Sequence, residues 1–277
     1  MNALTKAKPL SRERDLELLK DARSYVYQTE ADCELVAHCF FPENHSPSDT
    51  RPAIIFFHGG LWDVSMATQF APHCMHFAGR GMVAVSIEYR VSSIRDCSPE
   101  DALEDAQMAI LWVKHNHQAL GVDPNRIIVA GAASGAHMSL CLAMMTDPIE
   151  MDPYSPRPLG VIALSTIMDT TKKGICHERF REAGNAAKLS PSKLICKGLC
   201  PMLLVHGKAD TITPYDAVAK FTKAMKRKKN KCELIDFESM NHSFFNFNVS
   251  AEHFEITLNA MDAFAVALDC LEPVGYI

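Results

Sequence analysis

Residues 127–137 read Ile-Ile-Val-Ala-Gly-Ala-Ala-Ser-Gly-Ala-His, a short apolar run followed by a turn between two glycines. The apolar run predicts a buried strand, and the residues after the turn predict a helix that continues to Met145. Gly131 and Gly135 flank the turn, and Ala133 stands at its centre. A strand that passes through a tight turn directly into a helix is typical of an α/β sheet.

The same alternation of strands and helices continues on both sides of this turn. Further strands are predicted at 25–29, 33–41, 53–57, 82–87, 161–166, 202–205 and 233–237, and helices at 67–79, 98–117, 216–227 and 252–271. A turn at Glu30-Ala31-Asp32 is expected to join the first two strands. Short, continuously apolar strands between helices predict an α/β fold with a mostly parallel central sheet flanked by helices on both faces.

Length and composition narrow the class of protein. The chain has 277 residues, a formal net charge of −5 and 48% hydrophobic residues, which suits one α/β domain over 1–277. Within it, residues 1–24 are expected to form an N-terminal extension, and 169–197 either a small lid or a loop. A pI near 6.2 and 8% aromatic residues argue against a nucleic-acid partner. The oligomeric state is left open.

Membrane, metal and cofactor sites are not expected. No run reaches the roughly 18–20 apolar residues of a membrane span, and no secretory leader is recognised, so a cytoplasmic location is predicted. Cys196 and Cys200 have a spacing that could bind a metal, but no second pair of ligands lies nearby. The turn at 131–135 lacks the lysine of a phosphate-binding loop and the spacing of a dinucleotide site, so we predict no cofactor.

The turn at 131–135 has the pattern of a nucleophile elbow, G-x-S-x-G, except that Ala133 occupies the serine position. Shifting the pattern to centre on Ser134 would require glycines where Ala132 and Ala136 stand. Ser134 is therefore interpreted as a small residue at a helix N-terminus rather than as a nucleophile.

Three other predicted strands end in residues suited to acyl chemistry. The strand at 53–57 is followed by His58, Gly59 and Gly60, and paired glycines allow backbone N–H groups to approach a substrate oxygen closely. His58 itself is interpreted as structural. Asp210 follows the strand at 202–205 and His242 follows the last strand. The order of elbow, Asp and His is that of α/β-hydrolases, not of chymotrypsin or subtilisin.

On these residues the chain resembles α/β-hydrolases of the hormone-sensitive-lipase and carboxylesterase group, close to bacterial esterase/lipase and acetylxylan-esterase-like proteins. The resemblance extends over 25–271. It rests on Phe57-His58-Gly59-Gly60, Glu88-Tyr89-Arg90, Asp123-Pro124-Asn125-Arg126-Ile127, Leu204-Val205-His206-Gly207-Lys208-Ala209-Asp210 and Asn241-His242-Ser243-Phe244-Phe245. It implies the α/β-hydrolase fold and a serine-esterase site for a small-molecule ester with a short acyl group.

The resemblance also assigns roles to individual residues. His242 would be the general base, Asp210 its orienting carboxylate, and Ala133 would hold the place of the nucleophile. Gly59 and Gly60, together with the N–H of Ser134, would form the oxyanion hole. Leu61 replaces a third glycine and would narrow the acyl side of the pocket, while Trp62 and Phe244 are expected pocket walls because they adjoin these residues.

The alanine at the nucleophile position leaves three interpretations open. The chain is a hydrolase whose serine was exchanged, a natural pseudoenzyme that binds a small molecule or a protein partner, or a protein that uses His242 and Asp210 as a base in a non-hydrolytic reaction. Because Asp210, His242 and the oxyanion loop are all retained, we favour an esterase scaffold that is nearly inactive without its serine.

Overall fold

A computed structural model describes residues 4–5, 13–30, 33–145 and 152–274 of the chain. Its strands are β1 Arg23–Glu30, β2 Cys33–Phe40, β3 Arg51–Phe57, β4 Val83–Ile87, β5 Val122–Ala132, β6 Gly160–Leu164, β7 Met202–Gly207 and β8 Cys232–Phe237. They form one sheet in the order β1-β2-β4-β3-β5-β6-β7-β8. β1 and β2 pair antiparallel, as do β2 and β4, and every other neighbouring pair is parallel.

Helices cover both faces of the sheet. They are α1 Glu13–Leu18, α2 Ala71–Gly79, α3 Pro99–His115, α4 His117–Leu120, α5 Ser134–Met144, α6 Ala183–Lys188, α7 Tyr215–Arg227 and α8 Ala251–Ala267. Residues of α3, α5 and α7 pack into one hydrophobic core, and residues of α2 and α8 pack into a second. The predicted α/β architecture is confirmed.

Strand β3 shows how the sequence fills both cores at once. Successive side chains of a strand point to opposite faces of the sheet. Accordingly, Ile55 and Phe57 lie in the core beneath α3 and α5, whereas Ile54 and Phe56 lie in the core beneath α2 and α8. All four side chains are completely buried, which explains why the strand is apolar throughout rather than alternating.

Several predicted boundaries differ from the structure. The helix expected from residue 67 begins at Ala71, where Pro72 occupies its first turn, a position that proline favours. The strand expected at 127–130 extends over Val122–Ala132. The last helix ends at Ala267 rather than at 271. Most of the expected turn at 30–32 lies outside the described residues.

The segment 169–197 packs against the rest of the chain. It contains 3-10 turns at His177–Arg179 and Pro191–Lys193 on either side of α6. Phe180 is buried, and the Arg181 guanidinium contacts the carboxylate of Asp101 at the start of α3. Whether this segment acts as a lid stays a prediction.

Candidate active site

The turn between β5 and α5 has the backbone of a strained elbow. Ala133 has φ 47° and ψ −108°, a conformation that residues with a side chain rarely adopt. A Cβ added to Gly135 would lie 2.0 Å from the carbonyl oxygen of Phe57, and one added to Gly131 would lie 2.4 Å from the carbonyl carbon of Gly135. Both glycines are therefore required for the turn to pack against the end of β3.

Asp210 and His242 form a hydrogen-bonded pair in the loops that follow β7 and β8. His242 Nδ1 lies 2.8 Å from Asp210 Oδ2, so the imidazole donates to the carboxylate. The Asp210 side chain is fully buried, and that of His242 is 18% exposed. Within the described residues, His242 Nε2 has no hydrogen-bond partner. The predicted role of His242 as a general base requires such a pair, in which one ring nitrogen donates to a carboxylate and the other can accept a proton.

The Asp210 carboxylate is held by its own loop as well as by His242. Oδ1 accepts hydrogen bonds from the backbone N–H groups of Ile212, at 2.8 Å, and Thr213, at 2.9 Å. Oδ2 lies 2.6 Å from Thr213 Oγ1. Burial opposes the charge, but the hydrogen bonds from His242 and Thr213 outweigh it and lower the pKa of Asp210 to about 2.

Sequence reasoning missed two residues around this carboxylate. Thr213 Oγ1 lies 3.2 Å from His242 Nδ1 and 3.1 Å from the carbonyl oxygen of Ser165. The buried His206 places Nε2 2.8 Å from the carbonyl oxygen of Thr213 and 3.4 Å from Asp210 Oδ2. Thr213 could have been recognised, because an Asp in a loop commonly accepts backbone hydrogen bonds from residues two and three positions on. The contact of His206 could not, because it depends on the path of the loop.

The loop after β6 connects the elbow with the Asp210 loop. The N–H of Ile167 lies 3.4 Å from the carbonyl oxygen of Ala133, and Thr213 Oγ1 reaches the carbonyl of Ser165 two residues earlier. The predicted nucleophile position and the acid–base pair are thus joined through one short stretch. This stretch follows the strand that separates β5 from β7 in the sheet.

The loop after β3, which is predicted to supply oxyanion donors and is called the oxyanion loop for that reason, differs from the prediction at Gly59. Its N–H donates to Gln69 Oε1 at 2.8 Å and so already has an acceptor. The N–H groups of Gly60, Leu61 and Ser134 have no acceptor within the described residues. A Cβ added at Gly59 would lie 3.8 Å from Ala133 Cβ, so the loop runs directly past the elbow. The free donors are therefore one residue later than expected, at Gly60 and Leu61.

Ser134 is oriented toward the interior. It is fully buried at the first position of α5, and its Oγ lies 3.4 Å from the hydroxyl oxygen of Tyr89. Tyr89 in turn donates to the carbonyl oxygens of His58 and Gly59, at 2.9 and 3.2 Å. No contact joins Ser134 Oγ to His242 within the described residues, which agrees with its interpretation as a small residue at a helix N-terminus.

The three expected pocket residues lie in different surroundings. Leu61 is half-buried, with a positive φ of 55°. Trp62 is buried, with its ring edge-on to His137 and Phe180. Phe244 does not line an open pocket, because it is buried in the core beneath α8 together with Phe237, Phe245 and His253. The expectation that Phe244 forms a pocket wall is therefore not met, although Phe244 lies only two residues after His242.

Two other histidines near the site are structural. His58 Nδ1 lies 2.6 Å from the carbonyl oxygen of Gly59, and the ring stacks on Tyr89. His137 Nε2 lies 2.9 Å from the carbonyl oxygen of Leu189. Burial lowers the pKa of each imidazole to about 4, so both rings are neutral near pH 7.

The described part of the chain contains no group of three side chains that could hold a metal ion. No helix in the same ranges is long and apolar enough to cross a membrane.

Two protein families match different parts of the chain. The BD-FAE family model matches residues 39–169, and the dienelactone hydrolase family model matches residues 184–271. The first match contains the oxyanion loop and the elbow, and the second contains Asp210 and His242.

Solved esterase structures match almost the whole chain. A structure of Thermogutta terrifontis esterase 2, phosphoramylated by tabun, is 36% identical with a TM-score of 0.87, over 92% of this chain and 97% of that one. A propionate-bound structure of Est2 from the same species is 34% identical with a TM-score of 0.86, over 93% and 98%. The expected α/β-hydrolase fold is confirmed by these matches.

Curated relatives match over shorter lengths. Carboxylesterase NlhH of Mycobacterium tuberculosis is 30% identical over 173 residues, which are 58% of this chain and 52% of the relative. Isoprenylcysteine alpha-carbonyl methylesterase ICME of Arabidopsis thaliana is 24% identical over 254 residues, 80% of this chain and 56% of the relative. The chain thus spans about half the length of these two relatives.

Proposed function

The chain belongs to the esterase family of α/β-hydrolases, and from this membership we propose that it carries a carboxylesterase site for short acyl esters in which Ala133 replaces the serine nucleophile. The observation that carries the proposal is the Asp210–His242 pair, with its buried carboxylate and its free Nε2. In a site without any function, nothing would favour keeping Asp210 and His242 in a hydrogen-bonded arrangement.

The complete reaction is derived by placing a serine at position 133. Its Oγ would attack the ester carbonyl carbon while His242 Nε2 takes the hydroxyl proton, and Asp210 would stabilise the resulting imidazolium. The N–H groups of Gly60, Leu61 and Ser134 would donate to the developing oxyanion. His242 would then return the proton to the leaving alcohol, and water would release the acid by the same sequence of steps.

With alanine at position 133 the first bond cannot form. Loss of the nucleophile in a serine hydrolase lowers turnover by roughly 10⁶-fold, which corresponds to about 8 kcal/mol of barrier. The remaining oxyanion donors and binding contacts can still accelerate hydrolysis roughly 10³–10⁴-fold over water. We therefore propose that the chain binds its ester and hardly turns it over.

Short acyl groups are the best-supported substrate class. Two solved Est2 structures are propionate-bound and butyrate-bound, and both ligands are short carboxylates. The resemblance places Leu61 where many members of the group have a third glycine, and Leu61 adjoins the N–H groups assigned to the oxyanion. Its bulk favours a small acyl group beside these donors. The partner is accordingly a small-molecule ester.

The test compares hydrolysis of p-nitrophenyl acetate and butyrate by the chain and by its Ala133→Ser variant. We expect kcat/KM to rise by at least about 10³-fold, because the missing nucleophile is restored to an assembled site. The matched control is the double variant Ala133→Ser/His242→Ala, which should lose most of the gain. No gain in a folded Ala133→Ser variant would overturn the proposal.

The alternative functions give different results in the same assay. A binding protein would show saturable ligand affinity and no gain from Ala133→Ser. A reaction that uses His242 as a base would already be present in the unmodified chain and would be abolished by His242→Ala. The intact Asp210–His242 pair is the observation that keeps the second alternative open.

A second serine–histidine pair requires its own control. Ser24 Oγ lies 2.7 Å from His38 Nδ1, and His38 Nε2 lies 2.9 Å from Glu88 Oε1. His38 is buried between β1 and β4, and this pair is separate from the elbow. Any residual hydrolysis by the unmodified chain should therefore survive Ser24→Ala. If Ser24→Ala abolished this residual hydrolysis, the activity would be assigned to the Ser24–His38 pair and not to the elbow.

We also propose a cytoplasmic location. All ten cysteines are unpaired, as is typical of proteins in reducing compartments.

A further inference from the structure

Gln69 connects the two loops on which the proposed chemistry depends. Its Oε1 accepts the N–H of Gly59 at 2.8 Å, and its Nε2 donates to Asn246 Oδ1 at 3.0 Å. Asn246 Nδ2 then donates to the carbonyl oxygen of Ser243 at 3.1 Å. The connection therefore starts beside Gly60, in the oxyanion loop, and ends at the residue that follows His242.

The orientation of both amides follows from their neighbours. A backbone N–H can only donate, so Gly59 must face an oxygen of Gln69. A backbone carbonyl can only accept, so Ser243 must face the nitrogen of Asn246. With both outer contacts fixed in this way, Gln69 Nε2 faces Asn246 Oδ1, and the two atoms form a donor–acceptor pair. Every donor and acceptor along the chain of contacts is thus matched in one arrangement only.

The connection matters because the two loops come from distant parts of the sequence. The oxyanion loop follows β3 and the His242 loop follows β8, and these strands are separated by β5, β6 and β7 in the sheet. Hydrolysis requires the oxyanion donors and His242 Nε2 to be in place around the same carbonyl group at the same time. A displacement of about 1 Å between such groups can lower the rate by roughly 10²-fold.

We propose that Gln69 is a positioning residue that holds the oxyanion loop and the His242 loop in a fixed relation through Asn246. It does not touch the reacting atoms. By accepting the Gly59 N–H it fixes the His58–Gly59 peptide, which directly precedes the peptide that carries the Gly60 N–H. By binding Asn246 it holds the segment that follows His242. This inference rests on the proposed function for its effect on rate, but not for its effect on the backbone.

The kinetic test uses the Ala133→Ser variant as the parent. We expect Gln69→Met, which keeps the length of the side chain and removes both hydrogen bonds, to lower kcat about 10- to 100-fold. KM should change less than about threefold, because the misplaced groups act mainly in the transition state. Gln107→Met is the matched control, since Gln107 lies half-buried on α3 away from these loops and should leave both constants unchanged.

A double-variant comparison tests whether Gln69 acts through Asn246. Asn246→Leu should lower kcat in the same way, and Gln69→Met/Asn246→Leu should be no worse than the more damaging single variant. Independent effects that multiply in the double variant would overturn the connection. Equal kcat for parent and Gln69→Met, with the same melting temperature, would overturn the positioning role.

The second readout does not need activity. Hydrogen exchange of the Gly59 amide, followed by NMR in the unmodified chain, should be slow and should accelerate about fivefold or more in Gln69→Met. Asn246→Leu should also accelerate it, although Asn246 does not touch Gly59. Unchanged exchange in both variants would refute the connection even if Ala133→Ser proved inactive. Faster exchange with an inactive Ala133→Ser would refute only the proposed function.

Discussion

Ala133 has the backbone conformation of a nucleophile elbow but lacks the hydroxyl group of the serine that the elbow pattern has at this position. Its φ of 47° lies where a Cβ is disfavoured, and such residues are strained by about 1–3 kcal/mol. The conformation persists because Gly135 packs directly on the carbonyl of Phe57 and leaves the turn no other path. The packing of the turn thus imposes this strain on any residue with a side chain at position 133.

This strain predicts opposite effects for two neighbouring glycine substitutions. Ala133→Gly should raise the free energy of unfolding by about 1 kcal/mol, because glycine adopts positive φ without strain. Ala132→Gly, in the regular strand β5, should lower it by about 0.5–1 kcal/mol. Urea denaturation of the three proteins at one pH measures both. Equal destabilisation by the two substitutions would show that Ala133 is not strained.

Asp210 predicts a pH-dependent stability difference. Its pKa is lowered from 3.8 to about 2 in the folded chain, so its charged form is favoured by about 2 kcal/mol. A lowered carboxyl pKa stabilises the fold above about pH 4, and this contribution disappears as the pH falls toward 2. Asp210→Asn should therefore be less stable at pH 7, with a deficit that shrinks below pH 4. A deficit independent of pH would contradict this assignment.

Helix α2 buries a histidine that has no hydrogen-bond partner among the described residues. His73 is fully buried, its two ring nitrogens have no partner among the described residues, and its ring contacts Phe56, Phe70 and Phe254. Burial lowers the pKa of this imidazole from 6.5 to about 3. Helix α2 thus holds a neutral histidine in an aromatic cluster that connects it to α8.

Replacing this histidine should change the acid stability of the chain. A lowered histidine pKa means that the unfolded chain binds a proton that the folded chain excludes, so stability is lost as the pH falls below 6.5. His73→Phe removes this loss. Its stability relative to the original chain should rise by about 1.4 kcal/mol per pH unit between pH 6 and 4. Thermal or urea unfolding over this range measures it, and a constant difference would count against a buried neutral His73.

Sequence patterns predicted the presence of helices and strands better than the residues at which these elements begin and end. The start of α3 was predictable because Ser98 and Asp101 form local hydrogen bonds, with the Asp101 carboxylate accepting the N–H and the hydroxyl of Ser98. The length of β5 was not, since Asp123 and Pro124 in its first half are residues that strands disfavour. Pairing of Arg51 with Val122 shows that neighbouring β3 extends the strand to its start.

For the whole molecule, topology explains why the candidate site could be located from sequence. In a parallel sheet the carboxyl ends of all strands meet at one edge, so residues after β3, β5, β7 and β8 converge there. Asp210 and His242 are 32 residues apart in sequence and form a hydrogen bond at 2.8 Å. The strand order predicts that the two loops lie next to each other, whereas the hydrogen bond itself also depends on the orientation of both side chains.

What could not be predicted depends on the direction of individual groups within loops. Gly59 was expected to face a substrate, but its N–H faces Gln69 ten residues later. Phe244 was expected in the pocket, but it is packed in the core. Sequence gives the position of a residue along a loop, whereas the side to which its N–H or ring points depends on contacts from distant elements.

The proposed function requires an esterase site that is complete except for the oxygen atom of a serine at position 133. The most direct test is the kcat/KM for p-nitrophenyl butyrate of the unmodified chain, of Ala133→Ser, and of Ala133→Ser/His242→Ala, with folding checked by circular dichroism. We predict a rise of at least about 10³-fold on restoring the serine, and its loss when His242 is removed. A folded Ala133→Ser protein with no gain in activity would contradict the proposed esterase function.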